Sequence, residues 1–333
     1  MRDRSVLAFE SSCDETAVAV MRGREVMASR IASQVEVHER FGGVVPEVAS
    51  RNHLRAIAPL LRATLDEASI GIHEVDVVAA TVGPGLATSL MVGVCLAKAV
   101  AVGLGRPFLG INHMEGHALS PFYGRPEGVE PAIGLIVSGG HTMLVRIGGV
   151  GEYELLGQTR DDAAGEAFDK VGKLLGLPYP GGPLVDRLAV RGDRKAFDFP
   201  RSMVGSGDLE FSFSGLKTAV RYLLPEIDAS RVADVCASFQ EAVVDILVKK
   251  TRAAVRMSGC QRVAVSGGVS RNTRLRERLC EVLEPSGCEV LLAPDGLTTD
   301  NAAMIGYVAA LRAERGEVDP LTMEIRPSFP LAR

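Results

Sequence analysis

Apolar and polar positions along this chain fall into blocks that repeat. Residues 6–9 are apolar, Glu10-Ser11-Ser12-Cys13-Asp14-Glu15 are polar, and residues 16–21 are apolar again. Two apolar runs around a short polar turn predict a β-hairpin with carboxylates and hydroxyls at its tip. Such a tip suits a metal-bound phosphate held through water, or is an ordinary polar turn. The pattern returns at 132–137 and 143–147, with Ser138-Gly139-Gly140-His141-Thr142 as the turn. Two hairpins of this kind, each leading one half of the chain, predict a structural duplication. The paired glycines of the second tip let backbone N–H groups approach an anion closely.

Between the hairpins the spacing predicts a helix over 34–65, carrying Arg51, His53, Arg55 and Arg62, three of them arginines close to one face. It then predicts a buried strand at 75–82, a break at Gly83-Pro84-Gly85, a helix over 87–102 and a strand at 107–111. The 87–102 helix is apolar nearly all round. Its face around Leu90, Met91, Val94 and Ala97 is expected to need a cover from another subunit. Residues 121–131, with Gly124, Pro126 and Gly128, read as the linker, giving lobes at 1–125 and 126–333.

The second half predicts a helix opening near Asp161–Asp162 and a rigid turn at Tyr179-Pro180-Gly181-Gly182-Pro183, with Asp186 in the helix that follows. A strand turning into a helix comes next at 211–218, and a long helix at 232–256. Lys249, Lys250, Arg252 and Arg256 suit the C-terminal dipole of that helix and are available to phosphates. A strand at 262–265 runs into Ser266-Gly267-Gly268-Val269-Ser270-Arg271-Asn272 and a helix, an arrangement suited to an anion or nucleotide. After a strand at 289–292, Leu297-Thr298-Thr299-Asp300-Asn301 opens the last helix, with Asp300 its N-cap by residue type.

Composition narrows the partners. The 333 residues suit two domains, and 47% apolar with 23% charged residues is the make-up of a globular protein. The formal charge of −4 gives no global basic field, so a nucleic-acid substrate must be held locally or with a partner's help. The six cysteines show no Cys-x-x-Cys spacing and the N-terminus shows no secretory pattern, so reduced thiols in the cytoplasm are expected. No membrane span is expected, because the apolar stretch near 86–104 is broken by Lys98 and by glycines.

Two of the six histidines, His113 and His117, lie four apart in Asn112-His113-Met114-Glu115-Gly116-His117. On a helix both rings point the same way and offer two ligands to a borderline metal, with a third donor from elsewhere. The alternative is one histidine at the helix start and one that is packed. Zinc-peptidase chemistry is disfavoured: Met114 follows the first histidine, and Glu115 is rotated roughly 100° further round the helix. Asp300 is the best-placed carboxylate to complete the pair.

Taken together, Glu10-Ser-Ser-Cys-Asp-Glu-Thr16, Gly83-Pro-Gly-Leu86, Asn112-His-Met-Glu-Gly-His117 and Val137-Ser-Gly-Gly-His-Thr142 resemble the tRNA threonylcarbamoyltransferase (TsaD) family, historically labelled O-sialoglycoprotein endopeptidase. Phe211-Ser-Phe-Ser-Gly-Leu-Lys-Thr218, Ser266-Gly-Gly-Val-Ser-Arg-Asn272 and Thr299-Asp-Asn301 extend the resemblance over essentially the whole chain, in a bacterial form. The resemblance implies an α/β actin-like, Hsp70-like ATPase fold, with two duplicated subdomains around a nucleotide cleft. It implies one divalent metal, Fe2+ first and Zn2+ or Mg2+ as alternatives, on His113, His117 and Asp300. It implies that Ile136, Val137, Ser138, Gly139, Gly140, Asp169, Gly182, Asp186 and Asn272 line the site of threonylcarbamoyl-AMP, where ATP, ADP or AMP also fit. The partners it implies are tRNA, a smaller paralogous subunit (TsaB-like) as a heterodimer and a small ATPase (TsaE-like), with a homodimer when the chain is alone.

The expected reaction is acyl transfer, in which the exocyclic amine of the adenine next to the tRNA anticodon attacks the carbamoyl carbon and AMP leaves. Glu10, Asp14 and His141 are the candidates for taking the amine's proton. A small-molecule kinase on the same fold has no use for a histidine pair with a distant aspartate. A non-catalytic nucleotide-gated scaffold has no need to keep the metal residues.

Overall fold

A computed structural model describes residues 3–41 and 43–332. Contacts divide the chain into two units, 1–129 with 299–333 and 130–298. The expected second lobe therefore gives up its last 35 residues (299–333) to the first unit.

In the first unit β1 (Ser5–Glu10) is buried along its whole length, so it reads as a continuous apolar run without alternation. It pairs antiparallel with β2 (Glu15–Arg22), as the hairpin pattern predicts, and β2 pairs antiparallel with β3 (Glu25–Ser33). β3 is an edge strand, mostly exposed, with no apolar run to announce it. The helix expected over 34–65 is two helices, α1 (Val35–Glu39) and α2 (Pro46–Ala68). The break is set by Pro46, which holds Val45 extended at φ −108°, ψ 110°. β4 (Val77–Gly83) pairs parallel with β1. α3 (Ala87–Leu104) then crosses over and ends at Gly105 in the left-handed conformation. β5 (Phe108–Asn112) pairs parallel with β4 and passes directly into α4 (His113–Leu119).

The second unit repeats the plan. β6 (Ala132–Val137), β7 (Thr142–Gly149) and β8 (Glu152–Gln158) form an antiparallel meander. α5 (Ala164–Leu174), α6 (Gly181–Ala189), α7 (Ser214–Leu223) and α8 (Val232–Ser258) lead to β9 (Arg262–Ser266), which is parallel to β6. α9 (Thr273–Leu283) leads to β10 (Glu289–Leu292), parallel to β9. The sheet orders, β3-β2-β1-β4-β5 and β8-β7-β6-β9-β10, correspond strand for strand. The duplication visible in two hairpins thus extends over five strands in each unit.

α10 (Ala302–Glu314) explains the domain boundary. It packs on β1, β2 and α4, buried nearly all round, and Tyr307 donates to the Phe122 carbonyl at 3.2 Å. The tail then straps the first sheet: Arg326 N–H donates to Val82 O and Gly85 N–H to Pro327 O, while Asp319 bonds Phe108 and Gly110. α3 packs differently from expectation. Leu90, Val94 and Ala97 are buried in the unit's own core, and the larger exposed apolar side chains are Met91, Cys95 and Val102. By length and composition alone α3 could cross a membrane, but its Ser89, Leu90, Gly93, Val94, Ala97 and Ala101 face is spent on the sheet and α2.

Candidate active site

The histidine pair is held rigidly. Asn112 caps α4, its Oδ1 accepting from the N–H groups of Met114 and Glu115, while its Nδ2 donates to the tail carbonyl of Phe329. One turn separates His113 and His117, and their rings meet edge to face at 4.8 Å. Asp300 comes from the segment before α10. The N-cap of that helix is Asn301, not Asp300, since Asn301 Oδ1 accepts from Met304 N–H. This frees the Asp300 carboxylate, whose Oδ1 lies 3.1 Å from His117 Nε2 and 3.4 Å from His113 Nε2.

Ligand bonds of about 2.0–2.2 Å put neighbouring donor atoms roughly 3.0–3.6 Å apart around one ion, so these separations fit a divalent metal. Two imidazoles and one carboxylate on one side, with the other positions open, suit iron or zinc better than a closed structural site. Glu115 is buried, and its charge acts on the Arg312 guanidinium.

The electrostatics follow from burial and pairing. Burial opposes charge on His113, yet Asp300 and Glu10 on either side hold its imidazole well above the usual histidine range. Burial likewise opposes the Asp300 carboxylate, but His113 and His117 hold it well below the ordinary value. Glu10 is lowered for the same reason, burial being outweighed by the charge and hydrogen bond of His113. A divalent ion between the Nε2 atoms and Asp300 would take the place of the proton that this charge pattern favours.

In the second unit three loops come together at the ends of β6 and β9. The Ser138–His141 turn is closed by Ser138 N–H to His141 O at 2.8 Å and His141 N–H to Ser138 Oγ at 3.1 Å. Gly165, in the first turn of α5, sits against it, and a Cβ there would lie 2.6 Å from Ser138 O. Gly267, at φ +87°, leaves only 2.2 Å between such a Cβ and Val137 O. Asp169 Oδ1 accepts from Gly181 N–H at 2.8 Å and Gly182 N–H at 3.3 Å, and so ties the α6 turn to α5. Burial pushes the Asp169 carboxyl up against these bonds. Asp186 Oδ2 accepts from Thr273 N–H and its hydroxyl, while Oδ1 is buried with no partner among the described residues.

The expected metal residues are therefore brought together, with Glu10 beside them. The expected ligand-binding residues gather on the second unit. Several carry structural bonds as well: Asn272 caps α9 through Leu275 N–H, and its Nδ2 donates to Gln240 at 2.8 Å, so both ends of its amide are engaged. On α2 Arg51, Arg55 and Arg62 are all exposed, Arg51 pairing with Glu47, whereas His53 is buried against Thr16 and Cys13. Sequence reasoning had Ser12 only as a hairpin-tip group and missed Thr81 and Gly165; Ser12 adjoins Glu10 and His113, and Thr81 adjoins Glu10. Their only signal in the chain is position within or beside the motifs.

The fold is shared with solved structures. It superposes on HypF from T. kodakarensis with a TM-score of 0.64 at 15% identity, covering 94% of this chain and 48% of that one. It superposes on component A of the Acidaminococcus fermentans (R)-2-hydroxyglutaryl-CoA dehydratase with a TM-score of 0.54 at 14% identity, covering 94% and 100%. These place the chain in the actin-like class. Sequence relatives say more. The tRNA N6-adenosine threonylcarbamoyltransferase of Paracidovorax citrulli is 49% identical over 99% of both chains. That of Thermotoga neapolitana is 49% identical over 97% of this chain and 99% of its own. A family model for TsaD, tRNA N6-adenosine threonylcarbamoyltransferase, matches residues 25–307. With this coverage and identity, the chain belongs to the tRNA N6-adenosine threonylcarbamoyltransferase family.

Proposed function

We propose that this chain carries out its family's transfer with His113, His117 and Asp300 holding one divalent metal, iron or zinc, and with the loops of the second unit holding threonylcarbamoyl-AMP. The observation that carries the metal assignment is that three donors, from segments 183 residues apart, lie within 4.8 Å of one another. A divalent ion held there would supply Lewis-acid stabilisation of phosphate charge.

The chain's own residues do the rest. The backbone N–H groups of Gly139 and Gly140 face anionic oxygens of the adenylate, while Ser138 N–H closes their turn and Ile136 and Val137 form the strand end beneath it. Gly182 lets the α6 turn lie flat against the nucleoside, fixed by Asp169, and Asp186 with Asn272 sets the start of α9. The bond formed joins the adenine N6 to the carbamoyl carbon, and the bond broken is that carbon's link to the phosphate oxygen. Because the amine is a weak nucleophile, orientation carries much of the acceleration. The amine's proton has two acceptors left to it, Asp14 at the half-exposed hairpin tip and His141 in the second turn, since both oxygens of Glu10 are engaged. Asp14→Asn and His141→Gln, assayed with prepared adenylate, separate the two.

The exposed stripe of Met91, Cys95 and Val102 on α3 is the surface for the smaller paralogous subunit, with the small ATPase docking on that pair. The enzyme acts on tRNA in the cytoplasm. The test against a kinase on this fold is the metal that survives exhaustive dialysis. Retained iron or zinc near one per chain supports the assignment, and labile magnesium alone removes it.

A further inference from the structure

Glu10 ends β1 with 1% of its surface exposed, and its carboxylate is fully engaged. Oε1 accepts from the Ser12 N–H at 2.5 Å. Oε2 accepts from the Thr81 hydroxyl at 2.6 Å and lies 2.9 Å from His113 Nδ1, with Ser12 Oγ 3.2 Å from the same nitrogen. The opposite ring nitrogen, Nε2, is the one that faces Asp300. His117 has no such support, as its Nδ1 is buried without a partner among the described residues.

We propose that Glu10 is a positioning residue, whose carboxylate keeps the hydrogen of His113 on Nδ1 and so leaves the Nε2 lone pair to the metal. The inference rests on the metal reading of His113, His117 and Asp300. A carboxylate only accepts, so a neutral imidazole facing it must donate. Metal-bound histidines are commonly oriented by such a partner behind them, and loss of the partner weakens metal binding about 10- to 100-fold.

Glutamine cannot replace Glu10 at no cost. The Ser12 N–H is an obligate donor at one oxygen, and the metal-competent His113 is an obligate donor at the other. An amide offers a single acceptor atom, so one donor must face an NH2 group. If that donor is His113, the ring turns over to the tautomer protonated on Nε2, which cannot ligate.

The test titrates metal-stripped protein with Zn2+ in competition with a metallochromic chelator, alongside thermal melting. Glu10→Gln is expected to bind Zn2+ about 10- to 100-fold more weakly than wild type, with the metal-free melting temperature little changed. His113→Ala is expected to lose the ion altogether. If His113→Ala kept full Zn2+ affinity, the metal reading itself would fail. If His113→Ala lost it while Glu10→Gln bound like wild type, the positioning role alone would be overturned. Should Glu10→Gln not fold, 15N-histidine NMR of zinc-loaded wild type decides. A slowly exchanging proton on His113 Nδ1 with the metal on Nε2 supports the role, and ligation through Nδ1 overturns it.

Discussion

Gly165 offers a perturbation whose size can be worked out from backbone positions alone. It lies in the first turn of α5, where alanine is intrinsically favoured over glycine by up to about 1 kcal/mol. An alanine Cβ would stand 2.6 Å from Ser138 O, 2.8 Å from Gly139 Cα and 2.9 Å from Gly139 N, all backbone atoms. Restoring ordinary contact at 3.4 Å requires the Ser138–Gly140 turn to move by roughly 0.8 Å (3.4 − 2.6), and no flexible side chain can absorb it. The turn is also held by Gly165 N–H to Ser138 O at 3.2 Å, which the same shift disturbs. Misplacing a binding element by about 1 Å can cost on the order of a hundredfold. Gly165→Ala is therefore expected to weaken adenylate binding about 10- to 100-fold in calorimetry while its melting temperature changes little, because the propensity gain offsets part of the displacement. Gly205→Ala, where an added Cβ meets nothing within 4 Å, is the matched control. Wild-type adenylate affinity in Gly165→Ala would refute the claim that this turn holds the ligand.

Met91→Glu, at a position 51% exposed on α3, should abolish association with the smaller paralogue while leaving metal content intact; co-purification at full strength would move the interface elsewhere. Lys250, buried to 2%, donates to Ser206 Oγ and to Asp208 O and Oδ1, pinning the loop before α7 to α8. Lys250→Met should cost about 1–3 kcal/mol and open residues 201–210 to protease, and an unchanged melting temperature would count against the pin. Burial first, then Asp14 and Asp300, push the Glu15 carboxyl up to about 7, although Ser33 donates to it. Its folded value lies above its unfolded one, so the native state keeps a proton that the unfolded chain has shed. The group's contribution is thus fully present below about pH 4.5 and lost as pH rises towards 7. The melting temperature of metal-free Glu15→Gln relative to wild type should rise over that window and then level off; a flat difference would show that Glu15 titrates normally.

The chain displayed its repeats because β1, β2 and β6 are buried on both faces and write themselves as apolar runs. β3 and β8 escaped notice for the opposite reason, as half-exposed edge strands whose pairing is set by their neighbours. The helices at 46–68, 87–104 and 232–258 were legible in their periods, but which face of α3 meets the sheet depends on contacts no local pattern encodes. The reading of Leu90, Val94 and Ala97 as exposed failed for that reason. His113 and His117 were legible because one turn of helix relates them. Glu10 was not placed correctly by its hairpin alone, since its partner lies 103 residues further on. Asp300 looked like a cap by type, and only the bond from Met304 N–H to Asn301 shows which side chain does the capping and which is left for the histidines. The return of 299–333 to the first unit is likewise a matter of α10 finding β1 and β2, far away in sequence.

The central claim is that threonylcarbamoyl transfer depends on a metal held by His113, His117 and Asp300. The most direct measurement incubates the chain and the proposed partner subunits with unmodified tRNA and prepared threonylcarbamoyl-AMP, then quantifies threonylcarbamoyladenosine by mass spectrometry of the nucleosides. Metal-loaded wild type should form the product, metal-stripped wild type should not until Fe2+ or Zn2+ is restored, and His117→Ala should fail in both states while melting normally. Equal product from stripped protein, or from His117→Ala, would contradict the account.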